Sequence, residues 1–192
     1  MKSKPRSLII PPKINKDSTQ KSQYQMFIDF ITENKLIKYN GEQLVYIYKF
    51  FKNLEQGNKV QFNVGRRQLG ITTFYALLLI YSHVMKQFIN APGIMIYYSN
   101  SGERHSYKQI IEQFLQDSAL SGFINLRDFE FTIRCCYIKA KTPITHLIVD
   151  YTNTPPITIE NLMMVDPTFR PLVAGIDLKN ATIINTMVYE YS

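Results

Sequence analysis

Tryptophan is absent from these 192 residues, and cysteine, histidine, glycine and proline are scarce, at 2, 3, 8 and 9 positions. Each shortage excludes something. The two cysteines, Cys135 and Cys136, are neighbours. Adjacent strand residues point to opposite faces, so an ordinary disulfide between them is not expected. Without a CxxC pair, and with the histidines scattered, a zinc site is not expected either. Little glycine and proline excludes a low-complexity chain. No apolar run reaches the roughly 18 residues of a bilayer span. The longest, Phe74–Tyr81, has the length of a helix core. The N-terminus is basic with no apolar stretch behind it, so no secretory leader is expected.

What is present is a globular composition, 45% hydrophobic and 19% charged. A chain of this length buries roughly 70% of its unfolded surface and folds without staples. Its aromatic mass is 13 tyrosines and 12 phenylalanines, and its net charge is +7. Five of the cations, Lys2, Lys4, Arg6, Lys13 and Lys16, precede the first acid, Asp17. With Pro5, Pro11 and Pro12 and no periodic pattern, residues 1–20 are expected to form a disordered basic arm suited to polyanions.

Hydrophobic periodicity divides the rest. Helices are expected at 22–35, carrying Met26, Phe27, Phe30 and Ile31, and at 42–55, with Leu44, Ile47, Tyr48, Phe51 and Leu54 as its inner stripe. A strand at 59–64 leads through a loop at 65–70 into an apolar helix at 72–87. A strand at 94–98, a helix at 103–120 and strands at 129–138 and 146–150 follow. A short helix at 159–165 and strands at 172–176 and 181–189 complete the pattern. Alternating strands and helices, with continuous apolar strands such as Leu147–Val149, predict an α/β fold with a largely parallel sheet covered on both faces.

The informative stretch is the strand–loop–helix unit KVQFNV-GRRQLGITT at 59–73. Gly65, four intervening residues, Gly70 and then Thr72 have the spacing of a phosphate-binding loop. Glycines let backbone amides curl around a phosphate, and the following helix turns its positive end toward it. Position 71, where that motif carries the lysine that grips the β- and γ-phosphates, is Ile71. Downstream, His146-Leu147-Ile148-Val149-Asp150 is an apolar strand ending in a carboxylate, the form that holds Mg²⁺ beside a loop hydroxyl such as that of Thr72. The next residue, normally a glutamate that orients water, is Tyr151, a poor base at neutral pH.

The run Arg67-Gln68-Leu69-Gly70-Ile71-Thr72-Thr73 resembles the phosphate loop of the large terminase subunits that package DNA in tailed phages, and Arg66-Arg67 is similar to the herpes-type relatives. Gln43 is similar to that family's adenine-recognising glutamine, and Thr182–Thr186 to its coupling strand. The resemblance implies a RecA-like P-loop NTPase core with a helical N-terminal segment, as one domain over 21–192 without the family's nuclease domain. It implies a nucleotide site at Gln43, Gly65, Arg66, Arg67, Gln68, Gly70, Thr72 and Thr73. Arg67 would face the γ-phosphate, and Thr72 and Asp150 the Mg²⁺.

The departures at Ile71 and Tyr151 imply a retired ATPase, with no required cofactor and at most weak binding of ATP and Mg²⁺. The expected role is a viral accessory or structural subunit of DNA packaging, inside the host cell or in the virion. Its partner would be DNA or another viral protein, in a homo- or hetero-oligomer, with no membrane. Two alternatives stand beside it. One is an active packaging ATPase using Arg66 or Arg67 in place of the lysine. The other is a viral protein–protein interaction module.

Overall fold

A computed structural model describes residues 21–56, 59–64, 70–86, 93–98, 101–117, 119–139, 143–151 and 182–188, with scattered positions between 161 and 181; the strand at 59–64 is described by its backbone alone. The expected arm at 1–20 and the loop residues 65–69 lie outside the described residues, as does most of the helix expected at 159–165.

Helix α1 spans Gln23–Glu33 and opens on Ser22, whose side chain accepts from the Gln25 amide. Helix α2, Gly41–Gln56, opens on a reciprocal cap. The Gln43 amide donates to Asn40 Oδ1 at 2.9 Å, and the Asn40 amide donates back to Gln43 Oε1 at 3.0 Å. Each bond satisfies a donor that the helix end would otherwise leave unpaired. The inner face of α2 is rotated from expectation. Tyr46, Ile47, Phe50 and Phe51 are buried, whereas Tyr48 is 51% exposed. Nearly every position from Leu44 to Phe51 is apolar or aromatic, so period alone does not choose the stripe.

Strand β1, Lys59–Val64, is followed by α3, Ile71–Met85, and β2, Gly93–Tyr98. Helix α3 is buried on all sides, as an apolar helix without a polar face must be. Around it Phe27, Phe50, Phe74 and Tyr81 meet edge to face; Phe50 and Phe74 lie 5.0 Å apart at 83°. These rings supply the core volume that tryptophan does not. Helix α4, Ser101–Asp117, buries Tyr107, Ile111 and Leu115, one residue per turn. Short 3₁₀ turns at Ala119–Gly122 and Leu126–Asp128 then lead into the sheet again.

The single strand expected at 129–138 is a hairpin: β3, Phe129–Phe131, runs antiparallel to β4, Cys135–Ile138. The turn lacks glycine, proline and asparagine and is built by Thr132. Its hydroxyl accepts from the Arg134 and Cys135 amides, and its own amide donates to the Cys135 carbonyl. Ile133 stands at the tip, 63% exposed. Strands β5, Ile144–Tyr151, and β6, Thr182–Val188, complete the sheet. In the segment expected as a strand at 172–176, the described Ala174 and Ile176 lie in a turn and a bend.

The sheet order is β1-β6-β5-β2-β4-β3. The four strands from β1 to β2 are parallel, and the β4–β3 hairpin is antiparallel at one edge, so the sheet is mixed with a parallel core. Its two faces are covered differently. All four helices pack with Ile94, Ile96, Tyr98, Ile148 and Ile184 on one face. On the other, Phe169, Ile176 and Ala181 of the β5–β6 connection cover Met95, Tyr97, Leu147, Val149 and Ile183. The crossover from β1 to β2 runs one way across the sheet and that from β5 to β6 runs back. Right-handed crossovers in opposite directions lie on opposite faces.

Candidate functional site

In an open α/β sheet the ligand crevice lies beyond the carboxyl ends of the strands, where successive connections leave on opposite faces. Here that place is around β6, between β1 and β5. Among the described residues, Gly70, the residue before α3, is the next after β1. Gly70 is left-handed, with φ of 72°, and a Cβ there would meet Gln43 Nε2 at 3.1 Å. Gly70 and the first turn of α2 are therefore side by side. Two expected site residues, Gln43 and Gly70, are brought together. Gln43 Oε1, however, already accepts the Asn40 amide in the helix cap. A glutamine reading adenine bidentately needs both carboxamide atoms.

Ile71 heads α3 and is only 6% exposed, inside the main hydrophobic cluster. It points into the core from the position at which a phosphate loop would present its lysine. Thr72 and Thr73 are half-buried in the first helical turn. Gly65, Arg66, Arg67 and Gln68, and the side chain of Tyr151, lie outside the described residues.

Asp150 sits near the carboxyl end of β5, in register with Tyr98 of β2 and Thr186 of β6. It is 1% exposed. The Tyr107 hydroxyl of α4 donates to its Oδ2 at 2.8 Å. The Tyr107 ring stacks on Tyr98, with centroids 5.6 Å apart at 18°. Tyr98 in turn donates to the Thr132 and Cys135 carbonyls of the hairpin at 2.7 and 2.9 Å. Beside this, the Tyr75 hydroxyl of α3 is hydrogen-bonded to Thr186, and Tyr46 of α2 to Tyr75 at 3.2 Å. Helices α4 and α3 thus each send a phenol to the ends of β5 and β6, and α2 sends one to Tyr75.

The electrostatics keep these groups neutral. Burial, and then the Asp150 charge, hold the Tyr75 and Tyr107 phenols well above their ordinary range. Burial, Cys135 and then Asp150 do the same to the Cys136 thiol. Sequence reasoning passed over Tyr46, Tyr75 and Tyr107 because each sits in an apolar helical stripe. The available signal was chemical: a buried phenol needs a polar partner, and Asp150 and Thr186 are buried polar residues of adjacent strands.

Among the described residues no group of three or more His, Cys, Asp or Glu side chains is placed to hold a metal ion, and no helix is long and apolar enough to cross a membrane. Comparison with known proteins gives no match: no family model fits the chain, and no curated protein or solved structure is significantly similar to it.

Proposed function

We propose that this chain is a non-hydrolysing, terminase-ATPase-like domain with a RecA-like P-loop core, serving as a viral nucleic-acid-binding or DNA-packaging accessory subunit. The observation that carries the non-hydrolysing part is the pairing of a buried Ile71 at the head of α3 with an Asp150 carboxylate engaged by Tyr107. Phosphoryl transfer is catalysed almost entirely by positioned charge. At these two positions the described side chains supply, respectively, an apolar group and a buried acid one of whose oxygens accepts a phenol. The P-loop reading is supported by the strand order, in which β1 lies on one side of β6 and the acid-bearing β5 on the other. The nucleic-acid part rests on charge: five cations before the first acid in a chain of net charge +7.

The test is DNA binding at two salt concentrations, with and without residues 1–18, beside a steady-state ATPase assay. If the five arm cations each displace one counterion from duplex DNA, affinity falls roughly 500-fold between about 50 and 200 mM salt. Truncation flattens that dependence. No binding at low salt, with a stable protein complex recovered instead, replaces nucleic acid by a protein partner. Clear ATP turnover that is lost on Arg67→Ala overturns the non-hydrolysing reading and restores the ATPase that uses arginine.

A further inference from the structure

The resemblance implies a divalent cation at Asp150, near the carboxyl end of β5, and the carboxylate as it is placed does not suit one. A hydrated Mg²⁺ keeps several waters and binds through one or two carboxylates open to them. Asp150 is closed to solvent, and one of its oxygens accepts a phenol that is itself fully buried. From this disagreement we infer that Tyr107 takes the place a cation would hold: its hydroxyl makes Asp150 an internal anchor that fastens α4 to the end of β5, and the acid is not a metal ligand.

The geometry bears this out on each side of the contact. Tyr107 reaches the carboxylate from the face of α4 that also buries Ile111 and Leu115, so the whole helix fixes its approach. Its ring cannot swing aside without leaving the Tyr98 stack, and Tyr98 is pinned by two carbonyls of the β3–β4 turn. On the neighbouring strand, Tyr75 engages Thr186, the register partner of Asp150. Asp150 Oδ2 and the Thr186 hydroxyl are therefore each met from the helical layer by a phenol. The phenols stay protonated near a buried carboxylate because burial and that charge both oppose their ionisation.

The inference rests on the placement of Asp150 and not on what the chain binds, so its failure leaves the nucleic-acid reading standing. It is tested on the full chain with three single variants, one double variant and one metal probe. Mn²⁺ is titrated to about 1 mM, the loss of its free electron-spin signal reporting uptake, and the wild type is expected to take up none. Asp150→Asn keeps an acceptor oxygen for Tyr107 and is expected to unfold with an equilibrium constant within about threefold of wild type. Tyr107→Phe and Asp150→Ala each remove the bond and shift that constant by about ten- to a hundredfold, as loss of a hydrogen bond to a charged group does. The double variant Tyr107→Phe/Asp150→Ala falls short of the summed effects, since both remove one contact. If Asp150→Ala does not fold, Tyr107→Phe and Asp150→Asn carry the comparison. Mn²⁺ uptake by the wild type that Asp150→Asn abolishes overturns the inference, and so does a Tyr107→Phe protein as stable as wild type.

Discussion

Replacing Ile71 by lysine restores the residue that a phosphate loop carries at the head of its helix, and the structure says what it costs. Ile71 is 6% exposed and packs in the main cluster, so its side chain contributes most of the 1.5–3 kcal/mol that a fully buried aliphatic group supplies. Lysine forfeits much of that. Its ammonium must either be desolvated, which is more costly still, or be bent out past the first turn of α3. There it meets the positive end of the helix, adding about 0.3–1 kcal/mol of repulsion. The expected loss is about 2–4 kcal/mol, or roughly 5–15 °C in Tm for a domain of this size. Ile71→Met, close in volume, should cost less than about 1.5 kcal/mol and serves as the control. The assay is a thermal-shift titration with Mg-ATP. A destabilised variant that does not respond to nucleotide is the expected result. An Ile71→Lys protein as stable as wild type, and further stabilised by Mg-ATP, would refute the reasoning. It would mean that position 71 faces an intact phosphate cradle, since a ligand at a hundred times its Kd adds about 2.7 kcal/mol.

Two further outcomes follow from local geometry. Gly70→Ala puts a Cβ on a left-handed residue and within 3.1 Å of Gln43 Nε2, so urea unfolding should show a loss of about 1–2 kcal/mol, while Gly70→Asn, more tolerant of that conformation, loses less. His146 is held neutral by burial, its pKa pushed down to about 4 from an unfolded value near 6.5. Its contribution to stability is therefore complete above about pH 6.5 and lost as pH falls toward 4. The urea midpoint should drop across that window, and the drop should shrink in His146→Gln.

The elements that the sequence made legible are those where one physical signal had no rival. The alternation of Lys59–Val64 is that of a strand, and its bounds agree with β1. The unbroken apolar run around Phe74–Tyr81 is readable as a buried helix, because a strand of that length would be unusual. The hairpin at 129–138 was not readable. Its turn uses a threonine hydroxyl in place of glycine or asparagine, and such a bond leaves no mark in composition. The inward face of α2 was not readable either, since Tyr46 and Tyr48 present the same chemistry on different sides of one helix. At the site, Asp150 stood out as an acid closing an apolar strand. Its partner Tyr107 lies 43 residues away and is chosen only when α4 is laid on the sheet.

The strand order also sets a schedule for assembly. The parallel core is completed at its centre: β6 is the last strand among the described residues, yet it lies between β1 and β5. Lys59 must find Ile183, 124 positions on, before β1 has any partner strand among the described residues. During synthesis on the ribosome, β1 and β5 would each emerge with a bare parallel edge facing a gap one strand wide. Such long-range pairing is slow, and open edges of this kind recruit other chains. The nascent protein therefore passes its most aggregation-prone interval between the synthesis of β1 and that of β6, and a chaperone that shields the β1 and β5 edges until β6 arrives would act at that step.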